Sequence, residues 1–500
     1  MQLKNNSLYI RIGTVLIALV LLNIISRDRF KRLDLTDNKM YSLSSSSKEV
    51  VSQVDDLLTM KVYFSSDLPN ELGNTKRFLQ DILEEFRAYS NGNIRFFFED
   101  PQSDENLEEQ ARKDGIQPVQ MQVIENDKVE IKKVYLGLVM LYENKKDNIP
   151  VIQNTAGLEY LITTKIKSLI DIEKRTLGMV NLQPDNEIKT ENLRSQLRQH
   201  YNVQTIDLAT SSLDEIDVLL VSGSTDSVDQ KVLVNLEAFL NNGKKVFLAQ
   251  SAVSADIQAQ SATPINSNIF QLIEKYGLKI KKNLVLDNEC QSVQVQERRG
   301  IFMMNRAMRY PFFPNVRNFN KSEILVADLE QVVPFYPSEI ILDTMEVDLV
   351  AGTTELFRSS NKSGAMENNF ILSPDPQQNP FINLLNQSGK VLAASSKLVN
   401  GGELILVSDT KFLSDEAGMS VPDNMIFLLN AADYLTGEKE LISLRSREIT
   451  NRPLEQIEDS TRKNWKWANM LLPSLLVIGF AYIQRKKENS RANMLEQIYD

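Results

Sequence analysis

Five hundred residues, at roughly 150 per domain, make room for two or three domains, and 42% apolar with 24% charged residues excludes disordered and collagen-like classes. Acidic residues outnumber basic ones 66 to 56, and a net charge of -10 argues against a protein that binds nucleic acid as a whole. One cysteine, Cys290, and one histidine, His200, exclude an intramolecular disulfide, a Cys-x-x-Cys redox pair and a cysteine zinc cluster, so no cofactor or metal is expected.

The chain opens with an apolar run from Leu8 to Ile25, about 18 residues, which at 1.5 Å per residue covers roughly 27 Å of a 30 Å hydrocarbon layer. A cleaved signal peptide is the competing reading, since Lys4 and Arg11 precede the uninterrupted part. Ser26-Arg27-Asp28-Arg29-Phe30 offers no small-x-small cleavage site, which favours an uncleaved anchor over residues 8–25. A collar follows, with Asp34, Leu35 and Thr36 and then Tyr41, Ser42 and Leu43, before a helix whose N-terminal serines start near Ser45.

A strand from Leu58 to Phe64, a helix from Thr75 to Tyr89 with Phe78, Leu79, Ile82, Leu83 and Phe86 on one face, and a strand from Asn93 to Glu99 predict a parallel β-α-β unit. A short helix to Lys113, a strand from Val119 and one long strand from Val129 to Tyr142 complete the order β-α-β-α-β-β. That is the thioredoxin-like order, here without redox cysteines and so a scaffold only, over residues 26–150 with the collar. A linking helix (151–172) leads to strands and helices that alternate from Thr176 to Gln250, which predicts a doubly wound, Rossmann-like α/β sheet over 173–260. Residues 261–390 read as a β-rich insertion, and 391–445, with the strand at Gly401–Asp409 and the helix from Pro422, as the closing part of that sheet.

After a linker (446–464), residues 465–483 form a second apolar run. Trp465 and Trp467 bracket one end and Tyr482, Arg485, Lys486 and Lys487 the other, the pattern of a membrane helix with aromatic and cationic interfaces; Pro473 would kink it. Two spans put residues 1–7 and 484–500 on one side of a lipid bilayer. Flanking cations are nearly balanced, so charge alone leaves the sidedness open.

Chemistry-bearing patterns are sparse. Val221 to Ser227 closes a strand and opens a helix, but lacks the glycine pattern and lysine of a phosphate loop and reads as a helix cap. Cys290 and His200 are the one conceivable nucleophile and base, and Cys290 has no small neighbours to form a strained elbow, so structural roles are expected for both. Arg298, Arg299, Arg306, Arg309 and Arg317 alternate with Phe302, Tyr310, Phe312 and Phe313. This stretch is either a contact for an anionic partner or a solvated rim around core aromatics.

The collar, Gly157-Leu158-Glu159-Tyr160, Tyr310-Pro311-Phe312-Phe313-Pro314, the segment Val407 to Asp415 with Asp409 and Phe412, and Asn424 to Leu435 together resemble the auxiliary components of ABC-type transport systems, in particular the GldG-like components of gliding motility. The resemblance implies a non-enzymatic inner-membrane subunit with a large periplasmic region and both termini in the cytoplasm. Its partners would be a multi-spanning permease and, through it, a cytoplasmic ATPase, with room for a homodimer in the complex. It further implies an amidotransferase-like central domain without catalytic residues, and marks Asp34, Leu35, Thr36, Tyr41, Ser42, Leu43, Asp409 and Phe412 as interaction candidates. A membrane-tethered receptor for a glycan or lipid, held by the five arginines, is the alternative.

Overall fold

The computed structural model describes residues 42–447, apart from 69, 126–127, 156, 172–173, 184–187, 300–301 and 343–347, and residues 459–499. The N-terminal apolar run and Asp34, Leu35, Thr36 and Tyr41 lie outside the described residues. The chain divides into two compact units, Met1–Thr450 and Asn451–Asp500.

The first unit begins with helix α1 (Ser45–Ser52), capped by Ser44, whose hydroxyl accepts from the Ser47 amide at 3.0 Å. Strand β1 (Leu58–Phe64), helix α2 (Asn70–Tyr89) and strand β2 (Ile94–Glu99) form the expected unit, with β1 and β2 parallel. Helix α3 (Glu105–Lys113) precedes the hairpin β3 (Val119–Glu125) and β4 (Lys128–Val134), and then β5 (Leu136–Tyr142) and β6 (Lys145–Ile149). The four-stranded sheet runs β2-β1-β5-β6, with β5 antiparallel to both neighbours.

The single strand predicted from Val129 to Tyr142 is two strands in two sheets. The chain changes partner at Tyr135, which exchanges hydrogen bonds with Ser65 just past β1 and donates its hydroxyl to Glu108 at 2.9 Å. Helices α1, α2 and α4 (Leu158–Ile170) bury one face of this sheet through Val50, Leu83, Phe86, Ile162 and Ile166.

The second part of the unit runs through β7 (Thr176–Asn181), α5 (Glu191–Arg198), β8 (Asn202–Thr205), β9 (Val218–Ser222), α6 (Gln230–Asn241) and β10 (Lys245–Ala249). Then come β11 (Val253–Asp256), β12 (Ser261–Pro264), α7 (Ile269–Lys275), β13 (Leu278–Ile280), β14 (Leu284–Asp287) and the long hairpin of β15 (Cys290–Arg299) and β16 (Phe302–Pro314). Strands β17 (Asn318–Phe319), β18 (Ile340–Leu342), β19 (Val350–Arg358), β20 (Ser363–Met366), β21 (Val391–Leu398) and β22 (Glu403–Val407) follow, and helices α8 (Pro422–Thr436) and α9 (Lys439–Arg447) close the unit.

An eight-stranded sheet, β17-β19-β21-β22-β10-β9-β7-β8, carries five parallel strands from β22 to β8 and an antiparallel flank. Apart from the end residues Ser222, Lys245 and Glu403, its central strands β9, β10 and β22 are apolar because both faces are covered. Leu220, Phe247 and Ile405 pack toward α5 and α8, while Leu219, Leu248 and Leu406 pack toward α6 and α7. The insertion is not wholly separate: β17 and β19 extend the large sheet, and the rest forms two-stranded ladders.

The described part of the second unit is one helix, α10 (Asp459–Tyr499), 41 residues and about 60 Å long. Residues Ser460–Asn489 are long and apolar enough to cross a membrane, the one such helix among the described residues. Trp465, Trp467 and Tyr482 are exposed on it, as are Arg485, Lys486 and Lys487.

Candidate functional site

Helix α4 joins the two ends of the described part of the first unit. It opens at Gly157, whose φ of 76° is a left-handed conformation that glycine adopts without strain, and no side chain caps it. Glu159, buried in the first turn, accepts from the Ser44 amide and the Ser47 hydroxyl, each at 2.7 Å, and Ser47 also meets Thr163 at 2.9 Å. Leu43 is buried in the same core. The chain arriving from the N-terminal collar is therefore fastened to α4 by a carboxylate and an apolar side chain.

Tyr160, the next residue, faces the other end. Its hydroxyl accepts from Arg445 Nη2 at 2.6 Å and lies 3.4 Å from His200 Nε2, and the guanidinium sits 5.0 Å from the ring centroid. Arg445, on α9, is 7% exposed and pairs at 2.8 Å with Asp433 of α8, which is wholly buried; it also donates to Asn430 at 2.6 Å. Tyr201 donates to the same aspartate. Burial alone would lower the Arg445 pKa, but Asp433 and Tyr160 outweigh it and keep the guanidinium protonated. Lys167 of α4 adds an ion pair to Glu438 at 2.7 Å. Arg445 Nε and the Asn430 amide nitrogen have no hydrogen-bond partner, so the cluster is charged, buried and incompletely satisfied.

His200 belongs to this cluster rather than to a catalytic pair. Burial, reinforced by Arg445 and two lysines, pushes its pKa down to about 4, so it is neutral at pH 7. Cys290 begins β15 opposite Pro314, and burial pushes its thiol up despite nearby Arg309. Each residue sits among its own neighbours.

At the carboxyl edge of the parallel strands, where open α/β sheets bind ligands, the ends of β10 and β22 are covered by the chain itself. Asp409 follows β22, is 1% exposed, and accepts from the amides of Phe335 (2.9 Å) and Lys411 (2.8 Å). Burial pushes its carboxyl up to about 7. Ser338 donates its amide to Ser408 at 2.6 Å, Ser251 donates to the Tyr336 carbonyl, and Asn424 both accepts from and donates to the Val333 backbone. Residues 333–338 thus plug the mouth. At Gly223, in the predicted cap segment, a Cβ would lie 2.4 Å from the Ala249 carbonyl oxygen, which explains the glycine by packing alone. Phe412 is fully buried against Phe247 and Phe427.

Backbone register distributes the five arginine positions over both faces of the β15–β16 ribbon and beyond it. Arg298 and Arg299 occupy ladder positions opposite Met303 and Phe302 near the tip of the β15–β16 hairpin. Arg306 and Arg309, three residues apart on one strand, project from opposite faces of the ribbon, and Arg309 donates to the Asn288 carbonyl. Arg317 lies beyond the strand, while Tyr310 and Phe312 are core residues.

A family model described as "ABC-type uncharacterized transport system" matches residues 174–431, just over half of the chain. The chain belongs to this family. It is an auxiliary component of an ABC-type transport system, and that membership implies association with transporter components. A domain of unknown function, DUF7088, matches residues 37–141. An uncharacterized protein of Borreliella burgdorferi is 24% identical over 514 residues, spanning 97% of this chain and 99% of that one.

Among solved structures, the "mmIFT52 N-terminal domain" is similar over 52% of this chain and 97% of that domain, with a TM-score of 0.35 and 12% identity. A putative ThuA-like protein from Parabacteroides merdae is similar over 53% of this chain and 91% of that one, with a TM-score of 0.28 and 9% identity. Likenesses this distant carry no weight for fold or function. Glu159, Tyr160, Asp433 and Arg445 lie outside both matched ranges. Sequence reasoning included Glu159, Tyr160 and Asp433 in motif segments without a role and passed over Arg445; an arginine amid the apolar positions of a helix near Arg447 was the available signal.

Proposed function

We propose that this chain is a non-catalytic, GldG-like subunit of a gliding-motility ABC system, held in the inner membrane by spans at residues 8–25 and 465–483 with its large region in the periplasm. In this reading both termini are cytoplasmic, and the partners are a multi-spanning permease and, through it, an ATPase. The four-stranded part serves as a thioredoxin-like scaffold and the eight-stranded part as an amidotransferase-like one.

The observation that supports this most is the joint on α4. Glu159 holds the segment that leads to the first span, and Tyr160, through Arg445, holds the segment that leads to the second. A relative shift of the two spans, driven by ATP hydrolysis in the partners, would act first on these adjacent residues. The polar atoms this cluster leaves without partners, Arg445 Nε and the Asn430 amide nitrogen, are groups that a second arrangement of the joint would be able to satisfy.

Affinity purification of the full chain from detergent-solubilised membranes of its native host tests the reading. A permease and an ATPase should co-purify. Recovery of the chain alone, across mild detergents, refutes it.

A further inference from the structure

The two edges of the four-stranded sheet are built differently. Edge strand β6 carries Lys145, Lys146 and Asp147, and its lysines donate to the Leu169, Asp171 and Lys113 carbonyls. Charge and neighbouring elements protect it, as is usual for an edge. Edge strand β2 reads Ile94-Arg95-Phe96-Phe97-Phe98-Glu99, with no proline or lysine, and Phe97 is 53% exposed. Phe96 and Phe98 face the helical side, under Arg87 and Lys76. Arg95, Phe97 and Glu99 share the opposite side.

Arg95 is exposed and has no ion-pair partner among the described residues, and Glu99 has a buried carboxylate oxygen with no hydrogen-bond partner. The strand is also self-complementary. Directly opposed residues of an antiparallel pair point to the same face, so a two-fold axis must pass through a residue and not between two. An axis at Arg95 opposes like charges, and axes at Phe96 or Phe98 set a charge against Phe97. The axis at Phe97 sets Arg95 against Glu99 in both directions, Phe96 against Phe98, and Phe97 against itself.

We infer that β2 is a homodimerisation edge, pairing antiparallel with β2 of a second copy of this chain about Phe97 to make one continuous eight-stranded sheet. The occupant is a second copy because the charges on the strand complement each other only in that register. This pairing does not depend on the transport role.

The experiment is disulfide trapping of the full-length chain in membranes, in a Cys290→Ser background. Opposed residues in this register have Cα atoms about 4.5–5.5 Å apart, within disulfide reach. Phe97→Cys should give a covalent dimer on mild oxidation. Two co-expressed, differently tagged chains, one Arg95→Cys and the other Glu99→Cys, should cross-link to each other. Arg95→Cys alone should not, since its two copies lie about 13 Å apart along the strands. The inference is overturned if neither Phe97→Cys nor the mixed pair exceeds the exposed control Val234→Cys, or if Arg95→Cys alone cross-links as well as the mixed pair.

Discussion

Replacing Arg445 with methionine keeps most of the side-chain volume and removes the charge that Asp433 depends on. Asp433 is wholly buried, and after the change its one remaining side-chain donor is Tyr201. Breaking a buried pair from one side costs about 3–5 kcal/mol, because an uncompensated charge stays inside. Tyr160 and Asn430 lose their charged donor as well. At about 1.4 kcal/mol per factor of ten, the open population of α9 should rise by roughly two to three and a half orders of magnitude. Hydrogen exchange on the full chain in detergent reads this directly: amides of α9 and of the first turns of α4 should lose protection, while β9 and β10 should change little. Adding Asp433→Leu should restore most of the loss, since an apolar replacement of a whole buried pair is close to neutral. Loss of protection below tenfold, or a double variant as open as the single one, would refute the assignment of Arg445 as the fastener.

Glu159→Gln should loosen the opposite side of the joint by about 1–3 kcal/mol, seen as faster proteolysis near Ser44 with the large sheet unaffected; equal cleavage in both proteins would contradict the role given to this carboxylate. pH acts through two groups with opposite signs. Asp409, raised to about 7 from an ordinary 3.8, contributes stability that is whole below pH 3.8 and lost as pH climbs toward 7. His200, lowered to about 4 from 6.5, contributes stability that is whole above pH 6.5 and lost as pH falls toward 4. Between pH 4 and 6.5 the two slopes, at most about 1.4 kcal/mol per unit each, oppose one another. Asp409→Asn should therefore make the melting temperature fall more steeply on acidification than in the parent, and His200→Gln less steeply. Parallel melting profiles for all three proteins would show that these groups do not set the dependence.

Alternation of strands and helices was readable wherever the strands are apolar on both faces, as at Val218-Leu219-Leu220-Val221, because that composition follows from double-sided burial. The split at Tyr135 was not readable. Val134-Tyr135-Leu136 is as apolar as any strand, and the break is imposed by Ser65 and Glu108, which lie far away in sequence. The mouth of the large sheet was half readable: no nucleophile motif adjoins it, yet nothing local in residues 333–338 announces that they would fill it. The joint was least readable, since Tyr160, Asn430, Asp433 and Arg445 come from three helices and acquire meaning together. Arg298 to Arg317 looked continuous because sequence proximity hides the alternation of a β-ribbon.

Because Ser44 and Arg445 are both secured to neighbouring residues of α4, the described part of the first unit begins and ends at one place. Tension applied between those two points would travel a few ångströms through side chains rather than around several hundred residues of backbone. The sheets would stay mechanically unloaded, and the body beyond α4 could swing as a whole, like a pendant on a short clasp. A pulling experiment with handles at the two ends should accordingly rupture the clasp first, in a small early event, before either sheet unravels.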